Sequence, residues 1–325
     1  MKAAWYEKNG RAHDVLTVGE MDTPAPEAGE VLVRLHTSGV NPSDVKSRRG
    51  RPLAAPRIVP HSDGAGVIEA VGQGVARSRV GERVWLWNGQ WKRPFGTAAE
   101  FIALPERQAV RLPDATSFDA GACLGIPALT AMHAVLLHEP VRERTVLVTG
   151  AGSAVGDYAT QIAKARGARV LATASPARAE LARKAGADFV IDYKTKDVAE
   201  VARSLTRGRG VDGIIDMDLS TTTDLISAGV LAPHGMLVGY GSNVAADVPV
   251  SFPALLWGSL TLRFFLVYDL GPDERARAVD ALTALLQAGT LRHTIGARFR
   301  LDEIAAAHEA VEGGRVVGNV ILEIA

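Results

Sequence analysis

The sequence predicts an α/β protein of two domains, one rich in β-strands and one built on a doubly wound parallel sheet. Three observations point there. The chain has 325 residues, roughly two average domains. Its first third alternates apolar and polar residues between turns marked by glycine and proline. From near Asp119 to about Leu260, short apolar strands alternate with helix-sized blocks, the βαβ rhythm of an open parallel sheet.

Taken in order, residues 30–37 (EVLVRLHT) read as an alternating strand, 66–71 as a strand after a glycine-rich turn, and 81–87 as the start of another apolar run. The second texture gives strand 145–149, helix 155–166, strand 169–174, helix 177–185, strand 189–192, helix 198–206, strand 213–216 and strand 236–240. Past Leu260 come an apolar strand, a helix over 272–288, a short helix over 301–313 and a last strand over 319–324. No repeat or Pro/Ser-rich tether separates the textures, so direct crossings and a site in the cleft between the domains are expected.

Composition narrows the function. The 36 Lys and Arg balance 36 Asp and Glu, which leaves no electrostatic footprint for nucleic acid or an anionic membrane. Two charge-free runs, 120–138 and 225–246, are broken by Pro127 and by Pro233, Gly235, Gly239 and Gly241, so neither reads as a spanning helix. The lone cysteine, Cys123, has no disulfide partner, and the opening MKAAWYEKNG lacks the apolar core of a signal peptide. A cytoplasmic protein is expected. The eight histidines show no metal-ligand spacing, so no metal site is expected. His61, beside Asp63 in PHSDGAG, reads better as a turn residue than as a ligand.

The strongest chemical signal lies in residues 145–175, TVLVTGAGSAVGDYATQIAKARGARVLATAS. An apolar strand ends at Thr149, and Gly150, Gly152 and Gly156 allow a tight turn whose backbone N–H groups approach a pyrophosphate at a helix N-terminus. Ser153 reads as a phosphate contact rather than a nucleophile, since no GxSxG is present. The second strand ends Ala174-Ser175, without the carboxylate that usually accepts from the ribose hydroxyls of NAD. Arg178 then favours NADPH over NADH by pairing with a 2′-phosphate, unless it is only a solvated charge on a helix's first turn. Tyr193, after the third strand, lends a hydroxyl. In SGVNPSDVKSRRG, Asn41 and Asp44 face a substrate as catalytic candidates or, on the other reading, form a turn and helix cap.

Together the segments GVNPSDVKSRRG (39–50), PHSDGAGVIEAVGQGV (60–75), LGIPALTAMHAV (124–135), VLVTGAGSAVG (146–156), GADFVIDYKTKD (186–197) and AHEAVEGGRVVGNVIL resemble one family across essentially the whole chain. It is the zinc-less, zeta-crystallin-like quinone oxidoreductases of the medium-chain dehydrogenase/reductase superfamily. The resemblance implies a GroES-like domain from residues 1–121 and 263–325 around a Rossmann-type NADPH-binding domain at 122–262. It also implies NADPH-dependent reduction of a quinone or similar conjugated carbonyl by a homodimer or homotetramer joined through the nucleotide domains. Carried over by position, Asn41 lies near the nicotinamide ribose and substrate, Thr130 near the nicotinamide, and Gly152, Ser153, Ala154 and Val155 at the pyrophosphate. Ser175, Arg178 and Tyr193 take the 2′-phosphate, while Gly241, Ser242, the backbone around Phe265, and Asn319 complete the cofactor cleft.

Two departures from the family pattern stand out. The glycine turn reads GAGSAVG, with Ser153 at a usually smaller position, and Lys46 stands where an aromatic residue is common. Trp85, Trp87 and Trp91 offer a replacement aromatic wall, or simply pack the domain. The expected chemistry is direct hydride transfer, with Asn41 donating to the developing oxyanion and the proton arriving from solvent. Reduction of an activated alkene, an enone or enal, makes similar demands. A redox sensor that binds NADPH with little turnover is the alternative from another class.

Overall fold

The computed structural model describes residues 1–244 and 246–324. In chain order the strands are β1 (Lys2–Trp5), β2 (Thr17–Glu20), β3 (Glu30–Val40), β4 (Asp63–Val71), β5 (Arg83–Leu86), β6 (Phe101–Pro105), β7 (Ala109–Arg111), β8 (Thr145–Val148), β9 (Arg169–Ala174), β10 (Phe189–Asp192), β11 (Val211–Asp216), β12 (Leu231–Gly239), β13 (Thr261–Phe264), β14 (Ile295–Arg300) and β15 (Asn319–Glu323). They fall into two compact units, Met1–Ile126 with His293–Ala325, and Pro127–Arg292.

In the first unit β3 pairs antiparallel with β4, β6 and β15. The sheet runs β14-β15-β3-β4-β5-β7, with β6 also on β3, and β1 pairs with β2 apart from it. Val31, Val33 and Leu35 of β3 enter one core with Ile68, Val84, Leu86, Ile102 and Leu104. Burying each such side chain stabilises the fold by about 1.5–3 kcal/mol. Val320 of β15 lies opposite Val40, so the returning C-terminal segment stands beside Asn41, the residue that follows β3.

The central unit holds six parallel strands in the order β10-β9-β8-β11-β12-β13. The order reverses between β8 and β11, and ligands of such sheets bind in the crevice at the carboxyl ends of the strands there. Leu147, Leu171, Ile214 and Leu237, one from each of four neighbouring strands, pack with Ala199, Ala202 and Ile226 on one face. β12 starts earlier than the strand expected over 236–240. Pro233, His234 with φ +64° and Gly235 lie inside it, and its register with β11 shifts between Val211 and Gly213. Proline and glycine inside a strand mark such irregularities and hide it from a periodicity argument. The helix expected over 177–185 opens as a 3-10 turn, Pro176–Arg178, and continues as Ala179–Lys184.

The sequence places the return to the first unit at residue 263, whereas the chain stays with the central unit through Arg292. β13 pairs with β12. The helix Pro272–Gln287 buries Ala278, Leu282 and Leu286 and packs on the helix Leu129–Leu137. Arg292 is then anchored by Asp157 at 3.0 Å and by Gln161, whose Oε1 accepts from its main-chain N–H at 2.8 Å. At the other end the unit begins at Pro127 rather than at 122. No helix among the described residues is long and apolar enough to cross a membrane.

Ile214 is fully buried at the centre of this sheet. Ile214→Ala is expected to lower the stability of the central unit by about 2–5 kcal/mol, read by chemical denaturation, because the cavity cannot collapse between paired strands.

Candidate functional site

In the central unit the site begins where β8 ends. Gly150 has φ +62°, and a Cβ there would run into the Met217 sulfur. A Cβ on Gly152 would meet the stem of Arg178, and one on Gly156 the carbonyl of Gly150. Each glycine of the turn is therefore set by close approach. Ser153 caps the helix Ala154–Ala165, its Oγ accepting from the Gly156 N–H at 3.1 Å. Ala154 and Val155 occupy the first turn, where N–H groups have no intrahelical acceptor and the helix dipole favours an anion.

Arg178 is drawn onto this turn, its Nη1 donating to the Gly152 carbonyl at 2.9 Å. Ser175 precedes the 3-10 turn that carries Arg178, and its carbonyl accepts from the Arg178 N–H at 2.9 Å. The structure thus brings Ser175, Arg178 and Gly152 together. A cavity of about 540 Å³ in the same unit is lined by Thr149, Gly150, Thr173, Tyr193, Val198, Met217, Asp218, Leu225 and Asn243 among others. Its walls come from the carboxyl ends of β8 to β11, the crevice that the strand order marks out.

Asp218 was not legible as a site residue. It is buried, and its carboxylate accepts from Ser220 Oγ at 2.5 Å, Thr221 Oγ1 at 3.1 Å, and Asn243 N and Nδ2 at 2.9 and 2.6 Å. Burial acts to raise its pKa, but these donors outweigh it and hold the carboxyl below the usual range. The effect is to pin Asn243, in the loop after β12, to the end of β11. An Asp followed by a Ser/Thr run, as in DMDLSTTT, is the local pattern that signals such a turn. Gly241 approaches the Met217 carbonyl, Ser242 Oγ donates to the Val244 carbonyl at 2.9 Å, and Phe265 meets His133 edge to face with centroids 4.6 Å apart. Thr130 is buried in the helix Leu129–Leu137.

The first unit holds the other candidates. Asn41, almost fully buried, is the N-cap of the helix Pro42–Gly50. Its main-chain N–H donates to Asp44 Oδ2 at 2.8 Å, and its Nδ2 donates to Asp63 Oδ2 at 2.9 Å. Asp63 Oδ2 also accepts from the Ile126 N–H at 3.0 Å, while its Oδ1 has no hydrogen-bond partner. Asp44 therefore turns back on the Asn41 main chain as a capping partner, and Asp63, which motif reading left aside, orients the amide. Asn319 is buried at the start of β15 and bonds the Thr294 carbonyl through both its main-chain and side-chain N–H groups. Burial pushes the Asp44 carboxyl up to about 7 against the hydrogen bonds from Asn41. Burial also raises Asp63 well above the carboxylate range, and the charge of Asp44 adds to the rise.

Trp85 is fully buried in β5 and so cannot line an aromatic wall, whereas Trp87 and Trp91 are half-buried and Lys46 is exposed. Among the described residues, no group of three or more His, Cys, Asp or Glu side chains is placed to hold a metal ion. Around Asn41 the polar side chains are its amide and two carboxyls whose proton affinities burial raises, a set unlike the Cys and His ligands of a zinc site.

Residues 27–114 match the alcohol dehydrogenase GroES-like domain, and residues 154–284 the zinc-binding dehydrogenase family model. The first unit is accordingly a GroES-like domain and the central unit a Rossmann-type, NAD(P)-binding one. A quinone oxidoreductase of Pseudomonas aeruginosa is 33% identical over 95% of each chain. A 2-haloacrylate reductase of a Burkholderia species is 31% identical, covering 99% of this chain and 98% of that one. A mycobacterial protein solved in complex with NADPH superposes with a TM-score of 0.87 at 28% identity, over the whole of both chains.

The raised pKa of Asp44 makes a signed prediction. Between about pH 4 and 7 the unfolded carboxyl is ionised while the folded one retains its proton, so this contribution to stability falls as pH rises and levels off above 7. Asp44→Asn keeps an acceptor for the Asn41 N–H and removes the titration. The stability of the native chain minus that of the variant is expected to drop across this window by on the order of 4 kcal/mol, read by urea denaturation at stepped pH. A difference that rises with pH refutes the assignment.

Proposed function

We propose, since this chain belongs to the quinone oxidoreductase family of the medium-chain dehydrogenase/reductase superfamily, that it is an NADPH-dependent reductase that delivers a hydride to a quinone without a metal. The observation that carries this reading is the glycine turn after β8, with Arg178 laid on Gly152 and Ser175 where an NAD-selective sheet usually has a carboxylate. The N–H groups of Ala154 and Val155 and the hydroxyl of Ser153 suit a pyrophosphate, and Arg178 with Ser175 and Tyr193 suits a 2′-phosphate. The cavity walled by Tyr193, Val198, Met217 and Leu225 suits a flat heterocycle. The mycobacterial neighbour's NADPH points the same way. Thr130, Gly241, Ser242, Phe265 and Asn319 complete the cofactor contacts on this reading.

When bound, NADPH supplies the hydride. The chain's own residues bind, orient and exclude water. Asn41 has one amide proton committed to Asp63 and offers the other to the acceptor oxygen, where negative charge develops. Asp44 and Asp63 hold that amide from its main chain and its side chain. The proton that completes reduction comes from solvent.

A second reading, reduction of an activated alkene, is favoured by the 31% identity to a 2-haloacrylate reductase and by the absence of Trp85 from any exposed wall. The lone buried Cys123 suits a reducing compartment, and we place the protein in the cytoplasm. We also propose a homodimer. β13 is the outer strand of the parallel sheet, with Phe264 and Leu266 exposed on and after it and Phe252, Leu256 and Trp257 exposed on the helix before it. An unpaired strand edge among apolar side chains is closed most simply by its own two-fold copy.

NADPH oxidation is expected with a quinone acceptor and much less with NADH. Arg178→Ala is expected to weaken NADPH binding by ten- to a hundredfold, on the order of 1.4–3 kcal/mol for a charge-assisted contact, and to leave NADH unchanged. Asn41→Ala is expected to lower kcat by on the order of a hundredfold at unaltered NADPH affinity. Turnover confined to enones establishes the second reading, and NADPH binding without turnover of any acceptor establishes a sensor.

Sedimentation should give a dimer for the native chain and a monomer for Phe264→Asp. A native monomer at micromolar concentration rules out the strand-edge interface.

A further inference from the structure

His61 and His308 sit fully buried in the first unit with their Nε2 atoms 2.9 Å apart. His61 has φ +77°, a left-handed conformation that a non-glycine residue holds only where its surroundings impose it. Such an outlier calls for an account of what the ring does there.

The hydrogen bonds around it have one consistent direction. Thr97 Oγ1 lies 2.6 Å from the Asp63 carbonyl, which can only accept, so the threonine proton is spent there. Ser38 Oγ, 2.8 Å from Thr97 Oγ1, must then donate to it, and the Asp63 carbonyl at 3.5 Å is too distant to take that proton instead. With its proton spent, Ser38 accepts from His61 Nδ1 at 2.9 Å. His61 thus carries its proton on Nδ1, and its bare Nε2 accepts from His308 Nε2–H. His308 Nδ1 is left as an acceptor without a hydrogen-bond partner. The charged group facing the pair is Arg48, itself fully buried and ion-paired to Glu312, and it opposes a second proton on His308. Burial acts on both rings in the same sense.

We propose that His61 and His308 are positioning residues for Asn41, linked in a one-way chain of four hydrogen bonds that runs from the helix Ile304–Glu312 through Ser38 and Thr97 to the main chain of Asp63, whose carboxyl holds the Asn41 amide. Ser38 lies on β3 three residues before Asn41, and Gly39 pairs with Asp63 across the sheet, so the chain braces the end of the strand that delivers the amide. Its catalytic consequence rests on the reading that Asn41 meets the acceptor; its geometry does not.

The test uses the full-length protein labelled with 15N at histidine and asparagine. Long-range proton–nitrogen spectra at neutral pH are expected to show His61 as the Nδ1–H tautomer and His308 as the Nε2–H tautomer. Any other pairing, or an imidazolium on either ring, overturns the proposal. His308→Gln retains a donor at the same reach, while His308→Leu has none. The side-chain amide signal of Asn41 is expected to move in His308→Leu and to return in His308→Gln. With the acceptor that the native protein reduces, kcat is expected to fall about ten- to a hundredfold in His308→Leu, recover in His308→Gln, and leave NADPH affinity unchanged. A folded His308→Leu with native kcat and an unmoved Asn41 signal overturns the proposal. If no acceptor is turned over by the native protein, the functional reading fails, while the tautomers and the Asn41 signal still decide the positioning role.

Discussion

β3 sets the geometry of the first unit because β4, β6 and β15 take their register from it. Backbone N–H and C=O groups removed from water have to be paired, and along β3 that obligation gathers segments far apart in the sequence. Gly39 illustrates how tightly: it pairs with Asp63, and the Ala122 carbonyl leaves no room for a side chain. Asn41 emerges at the end of this strand beside Asp63, Ile126 and the residues that open β15. Pro42, at the first helical position, starts the helix immediately after it. The amide is placed by strand register, and a slip of one residue would send Ser38 and Val40 to the opposite face.

The central unit reaches its site by another route, close backbone approach. Gly150, Gly152 and Gly156 admit Met217, the Arg178 stem and a neighbouring carbonyl where side chains would collide. The first unit places a histidine in the same left-handed region of φ at residue 61 and holds it through hydrogen bonds at both ring nitrogens, Nδ1 donating and Nε2 accepting. One solution removes the side chain so that neighbouring protein groups can close in. The other keeps a side chain because its two nitrogens join β3 to a distant helix.

Legibility in the sequence follows the range of the interactions. The parallel strands 145–149 and 169–174 were readable because their apolar runs and the intervening glycine turn are local, and Ser175 and Arg178 lie on the turn that follows. Asn41 was readable as a site or a cap, and the structure gives it both a capping position and a buried carboxyl partner. His61 read as a turn residue because its partners, Ser38, Thr97 and His308, are brought to it only by the sheet and the C-terminal return. Trp85 sits in a tryptophan-rich stretch that looks like a surface wall, yet Val84, Trp85 and Leu86 are all fully buried, so β5 is covered on both faces there and alternation does not reveal it. The helix Pro272–Gln287 was legible as a helix, but its apolar face does not name the helix Leu129–Leu137 as its partner, and with that went the limit of the central unit.

The electrostatics around Asn41 suit the chemistry proposed for it. Two ionised carboxylates within hydrogen-bond reach of its amide and main chain would oppose negative charge on a bound acceptor, strongly so where water is excluded. Burial instead raises both proton affinities, Asp44 to about 7 and Asp63 well above its ordinary value, and the charge of Asp44 adds to the rise at Asp63. A protonated Asp63 still accepts the Asn41 proton through Oδ2, so orientation survives the loss of charge. The support behind Asp63 has the same character: neutral imidazoles, two hydroxyls and a main-chain carbonyl. Dipoles held in this way fix a donor without adding a field that resists the transition state, which is the form of preorganisation that favours a developing oxyanion.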